Sequence, residues 1–458
     1  MRTLFLSTII ILLLFLSGGC TKEFLNVKPD KRLSIPSTID DLDAMLNNRV
    51  FFAQASLDLG AASNDDFYIR DEQWSTLTSK YAKNAYVFAR DIFEDEQSND
   101  WNRAYERILY ANVILAHIDT IKAGTNQQRL QDEIQGGALF HRASNHYQLV
   151  QLFCPEYDLL SSSEAPCIPI RDDFDLTKSL TQSTVSSAYD FMINDLKRAL
   201  DLLPDVNTIY RPSKAATHLL LARIYLHMED YDLAFYHSDL GLKYRSELMD
   251  ISILDSTADY VFPVNLELHP EIILNFEGSA GPATIAPTRQ NISMELLDLY
   301  ETNDLRKTMF FRTHSNGNII FRGSYRPRGV HWGGFSTNEL WLIRAESSLR
   351  LGNISGALND LNYLLYFRYQ SGTYVPISSN DPMQVLTRIL QERRKELLFR
   401  GTRWEDLKRM NKDANFAKDL IREVDGQQYL LPINSPNWVF PFPKLEVELH
   451  NWSQVTRE

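Results

Sequence analysis

Apolar residues recur every three or four positions over much of this chain, and this spacing constrains its fold more than any other feature. The pattern runs through 100–121, 129–153 and 185–203, and Pro204 ends the third stretch. Such spacing places the apolar side chains on one face of an α-helix, where they can pack against a neighbouring helix. The sequence therefore predicts a mainly α fold.

Two pairs of alanines indicate that some of these helices form repeated units. Ala222 and Ala234 are twelve residues apart, and Ala345 and Ala357 have the same separation. Small residues at these positions let two antiparallel helices approach closely, as in the roughly 34-residue tetratricopeptide repeat. We expect helical pairs at about 100–155, 185–242 and 336–410, and long insertions at about 57–90 and 255–335.

The first twenty residues are typical of a bacterial lipoprotein signal. Arg2 precedes an apolar run of thirteen residues, 4–16, and Ser17-Gly18-Gly19-Cys20 follows it. This run is shorter than the roughly 20 apolar residues that a spanning helix needs. We expect removal of residues 1–19, fatty acylation of Cys20, a tether over 20–38 and a single body over 39–458. The usual leucine three residues before the cysteine is Ser17 here, and a secreted protein with a free cysteine is the alternative.

The charge balance argues against a nucleic-acid partner. The chain has 47 basic and 59 acidic residues, which gives a formal net charge of -12. Nucleic-acid phosphates require a basic surface, which this composition does not favour. A body held at a membrane by lipid rather than by basic attraction fits the acidic balance better.

Cys154 and Cys167 lie in a Pro-rich loop, and outside the cytoplasm we expect them to pair. A disulfide that closes a loop of this size contributes about 3 kcal/mol in the chain-entropy account. Two free buried thiols are the alternative. A metal site is not expected, since no histidine follows at the spacing of a zinc finger.

Several acidic residues in the C-terminal third could suggest a carboxylate-pair hydrolase. They are Glu392, Glu396, Glu405 and Asp406, and they alternate with Arg393, Arg394, Arg403 and Arg409. Mutual ion pairing at a helix end explains this pattern better than catalysis. His141 and His146 are five residues apart on one helix and do not share a face for a metal. We therefore expect no enzyme activity, no metal and no cofactor.

Three features together carry a resemblance to a known family. Cys20 is followed by Phe24-Leu25, the alanine pairs mark degenerate tetratricopeptide repeats, and residues 392–409 read ERRKELLFRGTRWEDLKR. The closing segment, 441–446, has a Pro-x-Pro pattern with Phe442 in the middle. With these features the chain resembles the SusD/RagB family, the nutrient-binding surface lipoproteins of Bacteroidetes.

The resemblance implies four degenerate tetratricopeptide helical pairs that form an α-superhelix, packed with an irregular, loop-rich ligand-binding half. It implies a cell-surface protein, anchored to the outer membrane by lipid, that captures an oligosaccharide without chemistry. It also implies a partner, a SusC-like TonB-dependent outer-membrane transporter that takes up the ligand. RagB-like capture of peptides is an alternative, and a non-catalytic scaffold for outer-membrane proteins is another.

Aromatic and charged residues in the two insertions are the candidate ligand contacts. A sugar ring lies against an aromatic face while its hydroxyl groups bind polar side chains. The candidates are Tyr68, Trp74 and Tyr81 in the first insertion and Tyr325, Arg326, Arg328 and Trp332 in the second. Gly329, Gly333 and Gly334 lead us to expect that Trp332 stands exposed. Trp101, Trp341 and Trp404 lie on helical patterns, and we expect them to pack in the core.

Overall fold

The helices begin and end near the positions that the apolar spacing predicts. The computed structural model describes residues 36–55, 58–94, 96–124, 126–278, 283–325 and 331–458. Its helices are α1 (Ile39–Leu46), α2 (Arg49–Phe52), α3 (Asp58–Ser63), α4 (Asp71–Ser75), α5 (Lys80–Tyr86), α6 (Asn99–Ile118), α7 (Gln128–Phe153), α8 (Val185–Leu202), α9 (Lys214–His227), α10 (Tyr231–Tyr244), α11 (Met294–Leu297), α12 (Arg306–Phe310), α13 (Thr337–Arg350), α14 (Ile354–Tyr366), α15 (Pro382–Glu396), α16 (Thr402–Met410) and α17 (Lys444–His450). Short 3-10 helices lie at Ile251–Ile253, Leu266–Leu268, Ala283–Ile285 and Pro436–Trp438.

Polar side chains fix where the long helices begin. The hydroxyl of Ser98 accepts a hydrogen bond from the backbone N–H of Trp101 at the start of α6. Thr184 caps α8 in the same way, and Asp381 caps α15, where Pro382 occupies the first turn. These caps satisfy N–H groups that have no partner within the helix, so each boundary follows from a local sequence signal.

The alanines that indicated the helical pairs lie at buried helix contacts. Ala222 of α9 and Ala234 of α10 are fully buried, as are Ala345 of α13 and Ala357 of α14. In each pair the two helices are consecutive and pack against one another. The prediction of closely packed pairs at these two places is confirmed.

A glycine allows the first of these two pairs to contact the second. Helix α10 packs against α13, and a Cβ at Gly241 would lie 2.8 Å from Cδ2 of Leu340. Further along the chain, α13 also packs against α15. Helices α9, α10, α13, α14 and α15 therefore form a continuous stack. The insertion at 255–335 separates the first two of them from the other three in sequence.

The strands are short and form six two-stranded pairs among the described residues. The antiparallel pairs are β2 (Phe67–Tyr68) with β7 (Asn291–Ile292), β3 (Pro166–Pro169) with β4 (Gln182–Thr184), β5 (Ile272–Leu274) with β10 (Phe335–Ser336), β8 (Phe311–Thr313) with β9 (Ile319–Phe321), and β11 (Leu420–Val424) with β12 (Gln427–Leu431), and the parallel pair is β1 (Gln54–Ala55) with β6 (Glu277–Gly278). The β2–β7 pair joins the two predicted insertions to one another, and the β1–β6 pair joins the second insertion to residues just before the first.

The insertions have an apolar core of their own. Phe67, Tyr86, Leu296, Phe310 and Phe321 belong to one buried cluster, which is separate from the main cluster between the long helices. Residues Thr38–Glu458 form one compact unit. No helix in the described part of the chain has both the length and the apolar character needed to span a membrane.

Candidate ligand-binding surface

Trp332 and Tyr325 lie inside the protein rather than on its surface. Their rings are stacked with centroids 4.5 Å apart, and each side chain is only 3% exposed. The indole N–H of Trp332 donates to Oδ1 of Asn275 at 2.8 Å, and the Tyr325 hydroxyl donates to the Glu271 carboxylate. The Arg400 guanidinium lies 4.1 Å from the centroid of Tyr325. Both rings are therefore fully engaged with internal partners.

The expectation that neighbouring glycines expose Trp332 is wrong, and Gly334 shows why. A Cβ at Gly334 would lie 2.4 Å from Cζ2 of Trp332 and 2.4 Å from the backbone oxygen of Leu274. The glycine thus lets the Trp332 ring fold back against its own chain. A small residue beside a tryptophan can permit inward packing as readily as exposure.

Trp74 and Tyr81 are also buried. Trp74 packs at 5.6 Å against Tyr86, and the Lys83 ammonium lies 5.2 Å from the Trp74 ring. Tyr81 stacks on Phe93, and its hydroxyl donates to Asp100 at 3.3 Å. Burial, and then the charge of Asp100, raises the pKa of Tyr81 well above its ordinary value. The structure corrects the expectation that these two rings offer open faces to a ligand.

Tyr68 is the candidate that reaches solvent, with 38% of its surface exposed. It lies on β2 opposite Asn291 of β7, and Oδ1 of Asn291 accepts from the backbone N–H of Ile319 on β9 at 2.8 Å. The β8–β9 turn is attached to the segment before β7, since Nδ2 of Asn316 donates to the carbonyl of Thr288 at 3.3 Å. Both residues of β7 are buried. We call the exposed part of Tyr68 together with the β8–β9 turn the Tyr68 surface. Arg326 and Arg328 lie outside the described residues.

The other predicted positions have clear outcomes. Cys154 and Cys167 form a disulfide. Trp101 and Trp404 are buried in the main core, as expected, and Trp341 packs at the edge of that core. Cys20 lies outside the described residues. The described part of the chain contains no group of three or more His, Cys, Asp or Glu side chains that could hold a metal.

Three of the four acidic residues of the 392–409 run, Glu392, Glu396 and Asp406, are held in buried ion pairs. Glu392 accepts from Arg306 at 2.6 Å and from Lys395 at 2.8 Å. Glu396 accepts from Nη1 of Arg306 and from Nε of Arg368, both at 2.8 Å. Burial alone would raise the pKa of Glu396, but Arg368 and Arg306 outweigh it and hold this pKa far below its ordinary value. Glu392 and Glu396 are therefore enclosed by cationic side chains.

Glu405 differs from the other three acids of the run. Its carboxylate accepts a hydrogen bond from the Tyr147 hydroxyl at 2.8 Å, and burial raises its pKa above the ordinary value.

The prediction that this run pairs with itself is only partly right. Asp406 does pair with Arg393 and Arg409. Glu392 pairs with Lys395 inside the run, but both Glu392 and Glu396 also bind Arg306 from outside it. Arg394 and Arg403 bind two acids from the first insertion, Asp66 at 2.9 Å and Asp65 at 2.7 Å respectively. The run therefore connects α15 and α16 to the insertions, which spacing alone did not indicate.

One surface cleft was missed by the sequence reasoning. Trp101 and Tyr105 of α6 meet Trp452 and His450 at a cleft of about 370 Å³, which Arg171 also lines. The Trp101 and Tyr105 rings are 4.7 Å apart, and His450 stacks on Trp452 at 4.9 Å. We call this the aromatic cleft. The spacing of Trp101 and Tyr105, four residues apart on one helix, was the available signal, but it indicates core packing equally well.

Two segments of the chain match known protein families. Residues 23–226 match the SusD-like_3 family, described as starch-binding associating with outer membrane, and residues 337–433 match the SusD_RagB family, described as the SusD family. The chain belongs to the SusD/RagB family. The second match contains residues 392–409, so the buried network lies in a part of the chain that matches the SusD family. No curated protein matches the sequence.

Solved structures share the fold of this SusD/RagB protein over nearly its whole length. A SusD superfamily protein from Bacteroides thetaiotaomicron VPI-5482 has a TM-score of 0.74 at 20% identity, covering 92% of this chain and 100% of that one. A SusD-like carbohydrate binding protein from Bacteroides vulgatus ATCC 8482 gives 0.67 at 21% identity, covering 91% and 97%. A laminarin binding SusD-like protein gives 0.66 at 17% identity, covering 90% and 97%. At these identities the likeness establishes the fold.

Proposed function

We propose that this protein captures an oligosaccharide at the cell surface and passes it, chemically unchanged, to a SusC-like TonB-dependent transporter. The two family matches, on either side of residues 227–336, carry this proposal. The starch-binding description of the first family and the laminarin-binding relative both favour a glycan as the ligand. The ion-paired carboxylates of the 392–409 run favour binding without hydrolysis.

The ligand surface that we propose is the Tyr68 surface together with Arg326 and Arg328. Tyr68 offers a ring face to solvent, and the turn supplies the half-buried His314 and the exposed Asn316. An aromatic face with polar neighbours suits a sugar ring, whose C–H face stacks while its hydroxyl groups form hydrogen bonds. Such contacts are individually weak, which suits capture followed by release.

Calorimetric titration of the mature protein with starch fragments, laminarin and short peptides tests the ligand class. We expect saturable binding of at least one glycan, and an affinity about tenfold lower for Tyr68→Ala, a loss of about 1.4 kcal/mol. Tyr236→Ala is the matched control, because Tyr236 is an exposed tyrosine on α10. Binding of peptides and no glycan would instead support RagB-like capture.

The lipid anchor is proposed at Cys20 and is tested in the native host. Cys20→Ala should abolish incorporation of labelled palmitate and release the protein from the outer membrane, because no acylated thiol remains. Ser17→Leu, which restores the usual signal residue, should leave labelling intact. Labelling that persists in Cys20→Ala would contradict the anchor.

The transporter is proposed as the stable partner. Affinity purification of the tagged protein from detergent-solubilised outer membranes should recover a TonB-dependent barrel, identified by mass spectrometry. Recovery of the protein with other outer-membrane proteins but without such a barrel would favour the scaffold alternative.

A further inference from the structure

The aromatic cleft has the composition of a ligand site, and it shares no helix or strand with the Tyr68 surface. Its walls come from the first turns of α6, from helix α17 with the following Trp452, and from the loop after β3. A volume of about 370 Å³ falls within the range of small-molecule sites, about 300–1,000 Å³. The cleft is therefore large enough for one or two sugar rings.

The aromatic rings of the cleft have their polar groups satisfied by the protein. The indole N–H of Trp452 donates to the carbonyl of Leu180 at 3.0 Å, and the Tyr105 hydroxyl donates to the carbonyl of Pro169 at 2.8 Å. These bonds fix the orientation of both rings. Trp101 and Trp452 are only 3% and 8% exposed, so they line the cleft mainly from within the core. What remains for a ligand is the surface of the half-buried Tyr105 and His450 rings, which Leu109 and the 65% exposed Leu176 extend.

Polar side chains with spare hydrogen-bonding capacity surround this apolar floor. Asn102 and Glu106 are exposed and lie one turn apart on α6, while Glu446 and Arg171 are half-buried. The Arg171 guanidinium uses Nη1 to donate to the carbonyl of Asp175 at 3.1 Å and has further N–H groups to offer. An amide, two carboxylates and a guanidinium can together donate to and accept from the hydroxyl groups of a sugar.

The charges of the rim select among sugars. Glu446 and Arg171, of opposite charge, both line the cleft with Tyr105. Burial and then Glu446 raise the pKa of Tyr105, whereas Arg171 lowers it. Glu106 and Glu446 outnumber Arg171 among the charged Arg and Glu side chains that line the cleft in the described chain. An acidic sugar would bring its carboxylate towards two others, and this repulsion disfavours it. A neutral sugar avoids that cost.

We propose that the aromatic cleft is a second glycan-binding site, which holds a neutral sugar unit and excludes uronic acids. This proposal rests on the proposed function, since it takes a glycan to be the ligand. With two separate sites, one long glycan or two chains can be retained by the same molecule, which strengthens overall capture.

The test combines titration with hydrogen exchange on the mature protein, using neutral glycans (starch fragments, laminarin, xylan and mannan) and acidic ones (oligogalacturonate and alginate). A bound neutral glycan should protect backbone amides of 99–109 and 444–452, and acidic glycans should not. The double variant Asn102→Ala with Glu106→Ala should bind the neutral glycan about tenfold more weakly. Both side chains are exposed, so the fold should survive, and Asp232→Ala on α10 is the control.

The outcomes separate the two proposals. Failure of every glycan to bind overturns the proposed function and the cleft together. Glycan binding with unchanged affinity in the double variant and no protection at 99–109 overturns the cleft alone. Equal protection by oligogalacturonate overturns the selectivity for neutral sugars.

Discussion

Two buried histidines, His141 and His146, should make the stability of the folded protein depend on pH. His141 is 3% exposed, it packs against Phe52 and Phe276, and its Nδ1 has no hydrogen-bond partner in the described structure. Burial, followed by the charges of Arg107 and Arg211, lowers the pKa of His141 to about 3. Burial also lowers the pKa of His146 to about 3. Each imidazole is therefore neutral in the folded protein under conditions in which the unfolded chain is protonated.

The free energy of unfolding should consequently fall as the pH drops below about 6.5. In this window the unfolded state takes up protons that the folded state refuses, at a cost of about 1.4 kcal/mol per pH unit for each histidine. His141→Phe replaces the imidazole with an aromatic ring that does not titrate. The free energy of unfolding of this variant should therefore fall less steeply between pH 6 and 4. Urea unfolding at several pH values measures this. His314→Phe, at a half-buried position in the β8–β9 turn, is the control, and identical slopes for His141→Phe and the native protein would contradict the assignment.

Gly334 offers a second test at the scale of one residue. Gly334→Ala should lower the free energy of unfolding by about 1–3 kcal/mol, because the new Cβ meets a backbone oxygen and the buried Trp332 ring. At Gly241, in contrast, a Cβ meets only the terminal methyl groups of Leu340, and the alanine gains helix propensity. Gly241→Ala should therefore cost clearly less. Equal costs would show that Trp332 does not depend on Gly334 for its position.

At the scale of elements, the 392–409 run joins parts of the chain that are distant in sequence. Through Glu396, helix α15 binds Arg306 of α12, Arg368 after α14, and Asn338 of α13. Through Arg394 of α15 and Arg403 of α16, the run binds Asp66 and Asp65 of the first insertion. A buried charge network of this kind makes the relative placement of helices and insertions specific, because a shifted element would leave a charge without its partner.

Glu396→Gln tests this role. The glutamine keeps the size of the side chain but leaves Arg306 and Arg368 with one fewer buried anion, so the free energy of unfolding should fall by about 3–5 kcal/mol. Denaturant unfolding followed by circular dichroism measures the loss. Glu448→Gln, on the exposed part of α17, should change stability by less than about 0.5 kcal/mol. Similar small effects at both positions would mean that the network does not fix the arrangement of elements.

At the scale of the whole molecule, local patterns predicted the helices well but predicted the surface poorly. The apolar spacing and the alanine pairs are short-range signals, so helix bounds and helix pairing could be predicted from them. Whether Trp332 faces solvent depends on Asn275, Glu271 and Arg400, which lie far away in sequence. The partners of Glu396 and Arg394 are distant for the same reason, and the aromatic cleft requires α17 to meet α6. These contacts exist only once the chain has folded.

The proposed capture of glycan is a property of that assembled surface and not of any single motif. The helical stack supplies a fixed frame, and the buried network positions the insertions on it. The Tyr68 surface and the aromatic cleft are the two separate places at which we expect a glycan to bind. Glu392, Glu396 and Asp406 are held in buried ion pairs. Capture without chemistry requires that a bound glycan leaves the protein with the length it had on arrival.

Titration of neutral glycans into the mature protein, with analysis of the glycan chain length after prolonged incubation, tests this requirement most directly. We predict saturable binding of at least one glycan, with every chain recovered at its original length. Shorter products, or the absence of binding by every glycan, would contradict the account.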